Sequence, residues 1–303
     1  MTHQANTFIV GAPKSGTTAL FHYLYQHPLV FTTTPKEPHY FATDLPGSRF
    51  VTDLQTYQNL FKNVQSHHKV LCEGSVLYLY SKEALSNIKS FNSKSKLIAM
   101  FRNPAELIHS FHSELIYGRE ESEESLEKAW ELIPLRKQGQ AIPKFNREPK
   151  LLFYDELAKH GEQLGRLLSL FPEHQVLIIF FDDFVSHTEA VYRKVLEFLD
   201  LPFFPADLKP INENKLHRNP RVADFVQRPP ALLLRPYLQA KKLLGIENTY
   251  LGLRDPFLKA NTLTTKRQRL NAGLQKTILD AYASDIEKLS KLTGYNLNHW
   301  FDI

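Results

Sequence analysis

The sequence predicts an α/β fold, with a central parallel sheet flanked by helices in three layers. Three observations carry this. Phe8-Ile9-Val10, Leu97-Ile98-Ala99-Met100-Phe101 and Val176-Leu177-Ile178-Ile179-Phe180-Phe181 are apolar runs without polar alternation, the pattern of strands covered on both faces. Each is followed within a few residues by apolar positions at helical spacing. The 303 residues, 43% hydrophobic and 23% charged, have the composition of an ordinary globular protein able to bury a sizeable core. Strands alternating with helices imply parallel pairing, with ligands at the carboxyl ends of the strands.

The first strand leads into Gly11-Ala12-Pro13-Lys14-Ser15-Gly16. A helix follows from Thr17, with Leu20, Phe21, Leu24 and Tyr25 at its spacing. A strand, a glycine-containing loop and a helix start form an anion cradle, because the amides of the loop and first turn have no intrahelical partner. Lys14 adds a full charge, and Ser15, Thr17 and Thr18 add hydroxyls. The nucleoside-triphosphate loop is G-x-x-x-x-G-K-[ST]. Here Gly11 and Gly16 have that spacing, but Thr17 stands where the lysine belongs and Lys14 lies two places before Gly16. The fold expected is therefore P-loop-like, while an ATPase or GTPase loses its β/γ-phosphate contact.

The stretch from Gly11 to Thr18, read as G-x-P-K-S-G-T-T, resembles the 5′-phosphosulfate loop of sulfotransferases that use 3′-phosphoadenylyl sulfate (PAPS). That resemblance implies that Lys14, Ser15, Gly16, Thr17 and Thr18 hold the phosphosulfate. It also implies that Lys14 neutralises charge developing on the leaving phosphate oxygen. A donor with a separate 3′-phosphate needs a second motif. Leu97–Phe101 runs into Arg102-Asn103-Pro104 and then a helical pattern through Ser110 to Leu115. Pro104 suits a first helical turn, where its missing N–H costs little. Arg102 offers a planar fork to a phosphate, and Ser110 a hydroxyl. Alone, Arg102 is a surface arginine at a strand end. Beside the first loop, the sequence RNPAELIHSF resembles the family's 3′-phosphate motif, with Leu107 where the family often has arginine.

Chemistry enters with Thr34-Pro35-Lys36-Glu37-Pro38-His39-Tyr40-Phe41, which resembles the K-E-P-[HN]-[FY]-F segment of carbohydrate-type sulfotransferases and their bacterial relatives. An alcohol is a poor nucleophile at neutral pH and needs a positioned base. The resemblance gives that role to Glu37, whose flanking prolines restrict its backbone. Pairing of Glu37 with Lys36 on a plain loop is the structural alternative, and His39 is the rival base. The segment Val70–Tyr78 resembles the family's E-[KG]-[ST]-P-x-Y stretch at the acceptor site. Gly74 replaces a lysine of some sugar-directed members and Val76 the usual proline. Glu73 either assists Glu37, or holds Lys14, or is a structural strand-end carboxylate.

Further on, Leu151 to Leu170 reads as a helix before the third apolar run. Asp182-Asp183-Phe184 reads as a loop, and His187-Thr188-Glu189 as the start of another helix that ends by Pro202. The acidic stretch Glu120–Glu131 reads as a solvated helix face. Lys209–Arg221 is basic, polar and proline-bounded; it resembles the family's late cofactor loop, with Lys215 and Arg218 as its candidate ligands. Residues 229–253 read as a basic amphipathic stripe, packed on the domain rather than lying on a membrane. Lys266 to Leu292 reads as a final helix ending near Gly294. No linker or repeat interrupts the chain, so one domain is expected over 1–303, with a core at about 6–221 and a mainly helical 222–303.

Net charge is +5 and the pI about 9.0, without a Lys/Arg-dense block, so a polyanionic cosubstrate is favoured over nucleic acid. The single cysteine, Cys72, excludes an intrachain disulfide, and no Cys/His cluster has metal-ligand spacing; no metal is expected. The start lacks a secretory pattern and no run reaches about 20 apolar residues, so a cytoplasmic protein without a transmembrane segment is expected. The resemblance as a whole implies transfer of a sulfuryl group from PAPS to a hydroxyl of a small molecule, glycan or lipid, releasing adenosine 3′,5′-bisphosphate (PAP). A P-loop kinase acting on a small metabolite and a non-catalytic PAPS/PAP sensor are the other readings.

Overall fold

In the computed structural model the described residues are 4–209, 214–219, 255–265 and 269–302, with the isolated positions 222, 223, 226, 236 and 239. Five strands form one sheet: β1 (Thr7–Gly11), β2 (Val30–Thr32), β3 (Val70–Gly74), β4 (Lys96–Phe101) and β5 (Val176–Phe180). Their order is β2-β3-β1-β4-β5, and every neighbouring pair is parallel. The three apolar runs of the sequence are the adjacent strands β1, β4 and β5. Three-residue β2, an edge strand, carries too short a pattern to be read.

Among the described residues twelve helices cover the sheet and its ends. In order they are α1 (Thr17–Tyr25), α2 (Leu54–Asn59), α3 (Ala84–Phe91), α4 (Pro104–Tyr117), α5 (Leu126–Glu131) and α6 (Ile133–Lys137), then α7 (Tyr154–Leu157), α8 (His160–Leu170), α9 (Phe181–Ser186), α10 (Thr188–Phe198), α11 (Asp255–Ala260) and α12 (Ala272–Thr293). The alternation of side chains along a strand explains why two layers of helices are needed. Phe8, Val10, Leu97 and Ala99 join one core with Leu107, Phe111, Leu164 and Ile278. Ile9, Ile98 and Met100 point the other way, into a second core with Leu20, Leu24, Val195 and Leu196. Each such fully buried Val, Leu, Ile, Phe or Met side chain stabilises the fold by about 1.5–3 kcal/mol relative to exposure. Cys72, on β3, lies in this second core as a fully buried free thiol.

The structure departs from the sequence reading where tertiary contacts override local pattern. Residues 151–170 are not one helix: a 3-10 turn (Pro149–Leu152) and α7 precede α8. The break lets α8 pack along α12, with Gly161 and Gly165 of one turned toward Asp285, Lys288 and Leu292 of the other. The amides of Gly161 and Glu162 donate to the Asp285 carboxylate, both at 2.8 Å. A Cβ on Gly161 would lie 2.4 Å from the Asp285 carbonyl oxygen. Asp182-Asp183-Phe184 is the first turn of α9 rather than a loop, fixed by Trp300 Nε1 donating to Asp182 (2.9 Å) and Tyr295 Oη to Asp183 (2.9 Å). In Glu120–Glu131 only α5 is helical, and two of the acids turn inward. Glu121 is fully buried against Arg136 at 2.7 Å and accepts from Tyr154 Oη at 2.9 Å.

The late basic segment contains a strand, β6 (Asn214–His217), pairing antiparallel with β7 (Thr262–Thr265) in a second small sheet. The final helix starts at Ala272, not Lys266, where Asn271 caps it by accepting from the amides of Gly273 (2.8 Å) and Leu274 (3.3 Å). It ends at Gly294 as expected, and a 3-10 turn (Asn298–Phe301) follows. The stripe at 229–253 lies, apart from positions 236 and 239, outside the described residues. Among the described residues no helix is long and apolar enough to cross a membrane.

Candidate active site

The carboxyl ends of β3, β1 and β4 lie side by side at the centre of the sheet, and each delivers one part of the site. From β1 the chain passes through Lys14, in the left-handed region at φ 60°, to Gly16 at φ 88°. A side chain at Gly16 would meet the Phe184 ring at 2.9 Å, so this turn requires glycine. Gly16 is the N-cap of α1 and no side chain caps that helix. Its first-turn amides are thus presented to an anion at the mouth of the loop. Ser15 is buried and donates to the Pro13 carbonyl at 3.3 Å, while Thr17 is buried and Thr18 exposed.

Both motif cations are held by carboxylates of one helix. Lys14 Nζ lies 2.8 Å from Glu114 of α4. Arg102, just past β4, donates through Nε (3.0 Å) and Nη2 (2.7 Å) to Glu106 of the same helix. Its Nη1 donates to the Lys14 carbonyl at 3.0 Å, tying the two motifs together. The Arg102 guanidinium also lies over the Phe181 ring, 4.3 Å from the centroid. Asn103 starts α4, its side chain accepting from the amides of Ala105 (2.9 Å) and Glu106 (3.4 Å) and donating to the Trp300 carbonyl (2.9 Å).

The third part comes from the segment after β2. Glu37 has φ 64° and His39 φ 49°, and the Glu37 amide donates to the carbonyl of Gly74 at the end of β3 (3.0 Å). Non-glycine residues in this region cost about 1–3 kcal/mol each and persist only where surroundings fix them. Lys14, Glu37 and His39, three of the six such residues in the described structure, all border one cavity. The Glu37 carboxylate contacts the Lys36 ammonium on one oxygen and lies 3.6 Å from His39 Nε2 on the other. Burial lowers the His39 pKa, against the opposing pull of Glu37, so its imidazole is neutral at neutral pH.

Glu73 is a different kind of carboxylate. It is fully buried on β3, accepts from Tyr78 Oη (2.8 Å) and Tyr57 Oη (3.4 Å), and touches neither Lys14 nor the cavity. Burial pushes its carboxyl up to about 7, with the hydroxyl hydrogen bonds working in the other direction. Of the three roles open to it from sequence, this geometry fits the structural one.

The cavity has a volume of about 330 Å³. Lys14, Gly16, Thr17 and Thr18 of the loop line it, and so do Glu37 and His39. Ser15, Arg102 and Ser110 do not line it: Ser15 is buried in the loop, Arg102 donates to the Lys14 carbonyl, and Ser110 is buried on α4. Lys215 sits in β6, paired in register with Thr264 instead of in a loop. Arg218 is exposed, its amide donating to the Asn261 carbonyl at 2.8 Å. The small sheet reaches the site through His217, whose ring stacks on Tyr117 at 4.2 Å.

Sequence reasoning missed the remainder of the lining, chiefly Phe111, Glu114, Leu115 and Tyr117 of α4 and the pair Glu120–Arg147. The α4 residues were within reach, since helical spacing puts 114 and 117 on the face of Ser110 and 114, 115 and 118 on that of Phe111. Arg147 had no local signal. Among the described residues no group of three or more His, Cys, Asp or Glu is placed to hold a metal ion.

Comparison with known proteins agrees with this arrangement. The family model described as sulfotransferase domain matches residues 4–228. A crystal structure of a sulfotransferase from Alicyclobacillus acidocaldarius has the same fold, with a TM-score of 0.72 at 21% identity over 98% of this chain and 99% of that one. Heparan sulfate glucosamine 3-O-sulfotransferase 5 of Mus musculus is 25% identical over 194 residues, 64% of this chain and 53% of that protein. Bifunctional heparan sulfate N-deacetylase/N-sulfotransferase 4 of Mus musculus is 26% identical over 114 residues, 36% of this chain and 13% of that protein. The chain thus spans about half the length, or less, of these curated relatives.

Proposed function

The chain belongs to the sulfotransferase domain family, and from that premise we propose that it transfers a sulfuryl group from PAPS to an acceptor hydroxyl, with release of PAP. One observation carries this reading: Lys14, Gly16, Thr17 and Thr18 of the anion cradle line the same cavity as Glu37. An uncapped helix start, a lysine and three hydroxyl-bearing residues suit a phosphosulfate, and support the P-loop-like description of the loop. Arg102, within hydrogen-bond reach of that loop, suits the 3′-phosphate, with Ser110, Lys215 and Arg218 as further ligands in the proposal.

When bound, the donor supplies the sulfuryl group, and PAP is the leaving group. Glu37 takes the acceptor's hydroxyl proton as the new S–O bond forms. Lys14 stabilises the charge that appears on the 5′-phosphate oxygen as the old S–O bond breaks. Lys36 and His39 fix the direction of Glu37, and the left-handed backbone aims it. Glu114 and Glu106 neutralise Lys14 and Arg102 until the donor's anionic groups compete for them. The scheme uses no metal. A cytoplasmic place for the enzyme, acting as one domain, belongs to the same proposal.

Calorimetric binding of PAP, ATP and 5′-AMP, paired with a sulfuryl-transfer assay, tests the proposal. We expect PAP to bind in preference to the other two, and Arg102→Ala to weaken it at least tenfold. Glu37→Gln is expected to keep PAP affinity while kcat falls by about 10²–10⁴. A preference for ATP would overturn the reading in favour of a kinase, and full turnover in Glu37→Gln would remove that residue from the chemistry.

A further inference from the structure

Resting on the reading of this cavity as a sulfuryl-transfer site, the geometry points to a small, uncharged acceptor: an alcohol or phenol with an apolar body, not a polyanionic glycan.

Three features of the lining lead there. The first is size. At about 330 Å³ the cavity lies at the lower end of the 300–1,000 Å³ typical of small-molecule sites, and part of it faces the donor cradle. The second is the wall beyond Glu37. It is built from Val76, Leu77, Phe111, Leu115 and Leu151, all buried, with Phe50 on the rim, 68% exposed. An apolar body laid on that wall is stabilised by about 25 cal/mol for each Å² removed from water. A sugar ring with its hydroxyls would leave polar groups facing carbon, and each unmet hydrogen bond costs about 1–3 kcal/mol.

The third feature is charge. The two described cations of the lining are each matched by a carboxylate of the same lining. Lys14 faces Glu114 at 2.8 Å, and Arg147 donates through Nε to Glu120 at 3.0 Å. Glu37 adds a third carboxylate, and neutral His39 adds no charge. Donor binding would draw Lys14 away and leave Glu114 facing the acceptor. A sulfated or carboxylated chain would therefore find both described cations of the lining committed, Arg147 to Glu120 and Lys14 to the donor, with Glu37 held by Lys36. It would meet Glu114 left without its lysine in a partly dry cavity, where like charges repel strongly. An uncharged molecule has no such penalty. Glu37 lines the same cavity as these apolar side chains, so a hydroxyl at one end of such a molecule would reach the base while the rest lies on carbon.

The experiment is transfer from radiolabelled PAPS to a panel of naphthol, geraniol, octanol, glucose and a heparan-derived oligosaccharide, with PAP affinity measured on the same preparation. We expect kcat/KM for at least one apolar alcohol to exceed that for glucose and the oligosaccharide more than tenfold. Phe50→Ala, at an exposed position, should raise KM for that alcohol several-fold and leave PAP affinity unchanged. Equal or better use of the oligosaccharide or of glucose, or no turnover of any apolar alcohol by an enzyme that binds PAP, overturns this inference and leaves the proposed function standing. Failure to bind PAP at all brings down both.

Discussion

Glu37 and Glu73 are two carboxylates near one site with opposite environments. Glu37 is partly exposed and contacts Lys36, whereas Glu73 is fully buried among the hydroxyls of Ser75, Tyr78 and Tyr57, with no cation paired to it among the described residues. The Glu73 carboxyl is raised from an ordinary 4.5 to about 7, so in that window the folded protein binds a proton that the unfolded chain releases. Stability therefore falls as pH rises from about 4.5 to about 7 and is level above it, a loss from this group of roughly 3 kcal/mol. Urea unfolding at a series of pH values should show that slope in the wild type and lose it in Glu73→Gln, which keeps an acceptor for Tyr78. A slope unchanged by the substitution would assign the dependence elsewhere. At this scale the sequence was partly legible. Lys14, Glu37 and Arg102 sit in motifs whose chemistry is local. Glu114 and Arg147 do not: one acts on a lysine a hundred positions away, the other on Glu120 across a turn-rich segment, and neither spacing has a period to detect.

Among elements, the last turn of the chain has a disproportionate reach. Its Trp300 carbonyl accepts from Asn103, the residue that starts α4, and its indole donates to Asp182 at the start of α9. Helix α9 in turn places Phe181 under the Arg102 guanidinium and Phe184 against Gly16. One C-terminal segment thus braces both anion motifs from behind. Trp300→Phe keeps the buried ring and removes one donor to a carboxylate, a hydrogen bond of about 1.5–3 kcal/mol. We expect Tm to fall by a few degrees and PAP affinity to drop several-fold, with the acceptor KM unchanged; calorimetry and initial rates separate these. An unaltered PAP affinity would reduce the segment to a general stabiliser. None of this was visible as pattern. Strands β1, β4 and β5 and helices α1, α4 and α12 announce themselves by continuous or periodic apolar residues and by Pro104 and Gly294 at their ends. The break before α8, the first turn of α9 and the β6–β7 pair are set by partners far along the chain, which a local window does not contain.

For the whole molecule, the strand order makes the site possible. Placing β1 between β3 and β4 brings the Lys14 loop, the Arg102 turn and the Gly74 carbonyl that fixes Glu37 together at the carboxyl ends of the central strands. The same order encloses Cys72, with β1 on one side of its strand and β2 on the other. Burial pushes this thiol far above its ordinary pKa, so in the closed sheet it is neither accessible nor a thiolate, and an alkylating reagent reacts only after the sheet parts. The chain's single sulfhydryl is therefore a native clock for opening, needing no label or engineered probe. If opening unmakes the donor site, PAP at a hundred times its Kd should slow alkylation about a hundredfold, because a ligand bound only to the closed form subtracts that factor from the open population. If alkylation proceeds at the same rate with and without PAP, the β2 side peels away alone, and the donor site stays intact while the edge of the sheet breathes.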